Sequence, residues 1–372
     1  MNNNSRKKVM IIDNSIAFTG AIRSVLEQTK QLSDKYDFIF VIPAKSTVRN
    51  IISEEGISVY EIPMMEISRS IKNVLLYFPF LFFNYFKLRR IVKKESVDVI
   101  QVNDFYNLLG VVMKIFGFKG KLITYIRFLP SALPKVLTKT WTWLAQKYSF
   151  RVVCVSDAVR NQIPQKENIV RIYNALSLEE KYSEIVSKEN ETIQLLYLAN
   201  YIPGKGQGYA IEAFALAYKQ NPKLRLKFVG GDMGLEKNKN KKNRLKKRAE
   251  ELNMEDVIEF ADFTRDIESV IKEADIVLNF SDSESFSMTC SEASYFRKPV
   301  IATRCGGPEE IIVHHQTGLL VEKMNIGEMA SAILLLANDE VKRNQFGLAG
   351  RKYVEEKFSQ SKFYEEMNEI LK

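Results

Sequence analysis

Residues 281–310 read SDSESFSMTCSEASYFRKPVIATRCGGPEE, directly after the apolar run ADIVLNF at 274–280. The β-branched run marks a strand, SDSES a polar turn, the stretch from about Ser287 a helix, and PVIAT a second strand. Strand, turn, helix, strand is one βαβ crossover, the unit of a parallel sheet. Backbone amides of Ser287, Met288 and Thr289 fall where a helix leaves its first N–H groups without intrahelical acceptors, a position suited to phosphate. Glu284 lies in the turn and Glu292 eight residues on, about 12 Å along the axis if all were helical, so the two carboxylates would meet different parts of one elongated ligand.

The same rhythm continues outward. Downstream comes GLLV; upstream come VIEF, LRLKFVG and IQLLYLA; before a polar SKENET stretch the series RVVCV, LITYI, DVIQV, FIFVI and VMII runs back to the start. Two series predict two doubly wound α/β domains, 1–177 and 178–355, with a linker near 177–192 and the closing stretch 356–372 as a separate helix. Ligands of open parallel sheets sit beyond the carboxyl ends of the strands, which directs attention to the loops. One such loop is LANYIPGKGQGY at 198–209, where Gly204 and Gly206 flank Lys205 ahead of a helix. A dinucleotide fingerprint would need glycine at 209, where Tyr209 stands, and no G-x-x-x-x-G-K-[ST] loop exists.

Composition sets the outer limits. The chain has 372 residues, 46% hydrophobic, enough for sizeable cores without staples. Its three cysteines, Cys154, Cys290 and Cys305, show no metal or redox spacing and read as reduced thiols. The polar start MNNNSRKK runs into an apolar segment soon broken by Asp13, too short for a signal peptide or a membrane span, so a cytoplasmic location is expected. Net charge of +9 favours an anionic partner. The densest basic run, 237–248, reads as a solvated helix start. Residues 71–94, IKNVLLYFPFLFFNYFKLRRIVKK, leave two readings open: a crossover helix packed on the sheet, or an interfacial helix with an aromatic face in the headgroups and its basic tail on anionic lipid. Ten uninterrupted apolar residues cannot span a bilayer, which needs about 20.

These residues resemble the retaining glycosyltransferases of family four. Their E-x7-E signature is matched by Glu284 and Glu292, within Phe286, Glu292-Ala293, 299–303 PVIAT, Gly306-Gly307, Glu310 and 317–321 TGLLV. Weaker matches are Gly20, 154–156 CVS, Tyr173-Asn174 and 229–232 VGGD. The resemblance implies the GT-B fold, two facing Rossmann-like domains with a C-terminal helix crossing back to the N-domain. It implies transfer of a hexose-type sugar, with retention, from a UDP- or GDP-sugar to a glycan or lipid-linked acceptor, in cell-envelope polysaccharide assembly. By that pattern Glu284 and the amides after it hold the donor sugar, Glu292 bonds the ribose, Lys205 neutralises the diphosphate, Gly20 admits the phosphate, and Phe263 contacts the base.

Departures from the pattern are Asn200 in place of an arginine, Ser285 and Arg297 in place of glycines, and no N-domain histidine. Arg127 and Asn103 stand in that region and are expected to line the cleft. The nucleotide sugar is a substrate, so no cofactor is expected, and nothing in the sequence requires a metal; His314 and His315, being adjacent, make a poor zinc pair with Cys305. Taken singly, Glu284 and Glu292 read as surface carboxylates, Lys205 as a solvated loop charge, Phe263 as core, Asn174 as a turn residue and Arg127 as a salt-bridge partner. The alternatives are a sugar-nucleotide epimerase on the same fold, a catalytically weak partner subunit, and a nucleic-acid or anionic-surface binder. Nucleic acid is not an expected partner, since it leaves 281–310 unexplained.

Overall fold

A computed structural model describes residues 6–64, 71–176 and 191–372. The greater part of the expected linker, 177–190, lies outside the described residues. The chain divides into two compact units, Met1–Ala175 with Gln360–Lys372, and Leu176–Ser359.

The first unit alternates β1 (Lys7–Ile12), α1 (Gly20–Gln31), β2 (Tyr36–Pro43), α2 (Arg49–Glu54), β3 (Ser58–Ile62), α3 (Ile71–Glu95), β4 (Val99–Val102), α4 (Leu109–Ile115), β5 (Lys121–Ile126), α5 (Lys135–Tyr148), β6 (Arg151–Cys154), α6 (Asp157–Arg160) and β7 (Ile169–Arg171). Every pairing is parallel and the order is β3-β2-β1-β4-β5-β6-β7. The central strand β1 pairs Val9 with Phe38 on one side and Val99 on the other, and Val9 to Ile12 are fully buried. Each such side chain contributes roughly 1.5–3 kcal/mol of apolar burial, which is why the central strands read as continuous β-branched runs. The two strands with no clear signal in the sequence, β3 and β7, are the two edges: SVYEI is only partly covered and IVR is three residues long.

The second unit runs β8 (Ile193–Leu198), α7 (Gln207–Tyr218), β9 (Leu224–Val229), α8 (Glu236–Glu251), β10 (Ile258–Ala261), α9 (Ile267–Glu273), β11 (Ile276–Asn279), α10 (Met288–Tyr295), β12 (Val300–Thr303), α11 (Pro308–Ile311), β13 (Gly318–Val321), α12 (Ile326–Ala337) and α13 (Glu340–Lys357). Its sheet is also parallel, in the order β10-β9-β8-β11-β12-β13. The core gathers Leu195, Tyr197, Phe214, Phe228, Ile276, Leu278, Ile301 and Ile333 between sheet and helices.

The last helix, α14 (Gln360–Leu371), belongs to the first unit, as the resemblance implies. It buries Phe363, Met367, Ile370 and Leu371 there. Tyr125 donates its hydroxyl to Met367 Sδ at 2.9 Å and Tyr36 to Asn368 Oδ1 at 3.0 Å.

Candidate active site

Strand order reverses between β8 and β11, so the loops after these two strands diverge from one point of the second sheet. Such a switch point is where an open α/β sheet leaves a crevice for a ligand. The loop after β8 carries Lys205 and the loop after β11 carries Glu284, and the two side chains meet there: Lys205 Nζ donates to Glu284 Oε1 at 2.6 Å. Ser281 Oγ donates to the same oxygen at 2.8 Å. Backbone contacts join the loops as well. The Asp282 amide donates to Gly204 O at 2.8 Å, and buried Tyr197 accepts from the Phe280 amide while its hydroxyl donates to Lys205 O at 2.6 Å. Gly206 adopts φ +64°, and a Cβ there would stand 1.9 Å from Phe280 O, so only glycine permits this approach.

Glu284 is also held from the far side. Its amide donates to Cys305 O at 3.1 Å and its carbonyl accepts from the Gly307 amide at 2.8 Å, a parallel bridge beyond β12. A Cβ on Gly307 would meet Phe286 backbone at 2.4 Å, which explains the glycine in that place. The backbone of Glu284 is therefore held from one flank and its side chain from the other, with 13% of the side-chain surface left exposed.

Helix α10 begins at Met288, capped by Ser287, whose Oγ accepts from the Cys290 amide at 3.4 Å and from Asn279 Nδ2 at 2.9 Å. Ser287 adopts φ +77°, a conformation strained for any residue with a Cβ. The amides of Met288 and Thr289 thus open a helix beside the Lys205–Glu284 pair, an arrangement suited to an anion. Glu292 sits within α10 and is 2% exposed. The ring of Phe286 faces the core, edge-on to Phe358 at 5.2 Å, so any part it plays at the site is through its backbone. Asn200 Oδ1 accepts from the Gly231 amide at 3.0 Å, and half-exposed Phe263 lies beside the same glycine. Asn200, Phe263 and Lys205 accordingly share one end of the sheet.

The basic run at 237–248 is not wholly solvated. From α8, Lys241 Nζ turns inward to donate to Ile202 O at 2.6 Å and Gln207 Oε1 at 2.7 Å, and Gln207 Nε2 donates to Asn200 O at 3.0 Å. Burial holds the Lys241 amine down at about 8. Nothing in the charge pattern distinguished this lysine from its neighbours, because the loop it braces lies 39 residues away in sequence.

Gly20, Asn103 and Arg127 belong to the first unit. Gly20 is exposed and opens α1, whose cap is Thr19. Asn103 follows β4 at that sheet's own switch point and donates to Asp13 Oδ2, which follows β1. Arg127 is 8% exposed. Its Nε donates to Asn103 Oδ1 at 2.6 Å, its Nη1 to Asn174 Oδ1 at 3.0 Å, and its guanidinium covers the Tyr125 ring at 4.4 Å. Burial lowers the Arg127 pKa and raises that of Asp104 well above the carboxylate range, with Arg127 opposing the latter shift. Arg127 and Asn103 are thus braced within a buried network with Asp13, Ser24 and Asn174.

The thiols of Cys154, Cys290 and Cys305 are unpaired and buried, and burial raises their pKa values, to about 12 for Cys154 and Cys305, as expected of inert cysteines. Among the described residues no group of three His, Cys, Asp or Glu side chains is arranged to hold a metal ion. His314 Nδ1 instead accepts from the Leu320 amide at 3.0 Å.

Comparison with known proteins agrees with this architecture. Residues 18–180 match the family model described as Glycosyltransferase Family 4, and residues 179–353 the one described as Glycosyl transferases group 1. A glycosyltransferase of Haemophilus influenzae is 27% identical over 68% of this chain and 70% of its own length. One of Methanocaldococcus jannaschii is 31% identical over 58% of this chain and 57% of its own. The crystal structure of Anabaena HepE with UDP and glucose superposes with a TM-score of 0.81 at 19% identity, over 98% of this chain and 99% of HepE, a likeness of fold.

Proposed function

Since the chain belongs to the group 1 glycosyltransferases of the GT-B fold, we propose that it transfers a hexose-type sugar, with retention of configuration, from a UDP- or GDP-sugar held at the switch point of the second sheet. The observation that carries this reading is the Lys205–Glu284 pair, clasped at 2.6 Å beside the first amides of α10. A departing nucleoside diphosphate gathers negative charge, and a lysine with helix-terminal amides is what stabilises it; on this reading no metal ion is called for. Glu284 then orients the sugar and Glu292 the ribose. The structure of HepE in complex with UDP and glucose, which is similar in fold, supports a nucleotide-sugar donor. The acceptor is proposed to be a glycan or lipid-linked glycan of envelope polysaccharide assembly at the cytoplasmic face of a membrane, since relatives include a Staphylococcus aureus capsular polysaccharide biosynthesis glycosyltransferase.

The test is incubation with UDP- and GDP-hexoses and a panel of glycan acceptors, with proton NMR of the anomeric centre. Transfer with the anomeric configuration kept is expected. An epimerised nucleotide sugar with no transfer would replace the reading by the epimerase one.

A further inference from the structure

Helix α3 has two faces of opposite character. Asn84, Tyr85, Leu88 and Val92 are buried, which satisfies the crossover reading of this segment. The opposite face is a single stripe in which Phe78, Phe82, Phe83 and Phe86 are 63, 54, 52 and 45% exposed. The same stripe continues through exposed Arg89, Arg90 and Lys93. From Phe78 to Lys93 it runs about 22 Å. The rings are ordered against one another and extend past the helix: Phe82 and Phe86 meet edge-on at 4.9 Å, and Tyr85 reaches exposed Phe116 beyond α4, also at 4.9 Å. Four exposed phenylalanines on one helix are far from the scattered single apolar residues of an ordinary surface.

Charge identifies what covers them. The one acidic residue of α3, Glu95, is turned to the protein side, accepting from Tyr60 at 2.6 Å and Lys8 at 3.2 Å, so it does not offset the basic end of the stripe. Lys87 lies over the Phe83 ring at 4.8 Å, a basic head at the edge of the aromatic section. An aromatic section adjoining a cationic one, with no carboxylate on the stripe, matches the hydrocarbon and headgroup layers of a bilayer rich in acidic lipid. Among the described residues no helix is long and apolar enough to cross a membrane, so contact along the surface is the available mode. We propose that the outer face of α3 docks the protein on an anionic lipid bilayer, with the phenylalanines inserted at the headgroup boundary and Arg89, Arg90 and Lys93 on lipid phosphates.

The proposal rests on the functional reading only in that a membrane-held acceptor gives the docking a purpose. It is tested with the full chain and vesicles of phosphatidylcholine, with and without about one-third phosphatidylglycerol, by co-sedimentation at low and physiological salt. The wild type is expected to bind the acidic vesicles and to leave the neutral ones largely unbound. F82S/F86S and R89Q/R90Q are each expected to lower partitioning on the order of tenfold or more, with thermal unfolding and nucleotide binding unchanged. Failure of the wild type to sediment with acidic vesicles, or equal binding by both variants, overturns the proposal. So does a dimer in sedimentation velocity that F82S/F86S dissolves, since a second copy would then cover the face. Vesicle binding by a protein that binds no nucleotide sugar would sink the transferase reading and leave this one standing.

Discussion

Lys205 Nζ and Glu284 Oε1, 79 residues apart in sequence, lie 2.6 Å from one another where the loops after β8 and β11 leave the sheet. The pairing pre-positions a cation and a carboxylate before any ligand arrives. Both groups keep capacity for more: the ammonium has three donors and the carboxylate several acceptor sites. Preorganisation of this kind is the usual means by which an enzyme stabilises developing charge without reorganising at the moment of reaction.

Removing Lys205 should lower turnover. A charge-assisted bond to the leaving group is worth about 1.5–3 kcal/mol, so Lys205→Met is expected to reduce kcat by about 10- to 100-fold or more. Because Lys205 and Glu284 act on each other, the double variant Lys205→Met/Glu284→Gln is expected to lose less than the sum of the single losses. Steady-state kinetics of the four proteins checks both statements; full additivity would contradict the coupling.

Two neighbouring glycines should behave oppositely. Gly206→Ala forces a Cβ to 1.9 Å from Phe280 O at φ +64° and is expected to lower the melting temperature and remove nucleotide binding. Gly208→Ala, whose new methyl meets only Leu245 at 3.9 Å, lies inside α7 and is expected to be neutral or to stabilise by up to about 1 kcal/mol. Thermal unfolding of the two variants separates close approach from general sensitivity of the loop.

Arg127 should report on stability before it reports on catalysis. Its guanidinium is buried and shared among Asn103, Asn174 and Tyr125, and removing it takes a donor from buried amide acceptors, at about 1–3 kcal/mol each. Arg127→Met is therefore expected to unfold at clearly lower denaturant, measured by fluorescence. An unchanged midpoint with a raised KM would instead mark Arg127 as a ligand-contacting residue.

The pH dependence of stability should carry the mark of Lys241. Burial lowers its amine from 10.5 to about 8 in the folded chain. Between those values the unfolded chain holds a proton that the folded one lacks, so stability rises with pH across that window and the cost of the buried charge is full below it. The melting temperature of the wild type relative to Lys241→Met is expected to climb as pH is raised from about 8 to about 10. A constant difference over that range would show that the amine titrates normally.

How much of this was legible depended on where the information sat. Central strands such as VMII and ADIVLNF are buried on both faces and announced themselves, whereas SVYEI and IVR, at the sheet edges, need no apolar run and left none. The two loops that bring Lys205 and Glu284 together were legible as polar, glycine-bearing turns between apolar runs and helical stretches. Tyr197 and Ser281, which tie the two loops together, were not: one sits inside an apolar strand, where its hydroxyl looks incidental, and the other is one serine among several. The partners of Arg127 come from α1 and from the segments after β4 and β7, a convergence that only the sheet order reveals. The phenylalanines of α3 were visible as a hydrophobic run, yet which of them face outward follows from the side of the helix that Tyr85 and Leu88 occupy.

Whether the second unit holds a nucleoside diphosphate sugar at the Lys205–Glu284 site is decided by titration calorimetry of UDP, GDP and their hexose conjugates on wild type and Glu292→Ala. Saturable binding of one nucleotide sugar, lost in large part in Glu292→Ala while circular dichroism shows the variant folded, is the predicted result. Absence of binding by every nucleotide, or equal binding by both proteins, would contradict the account.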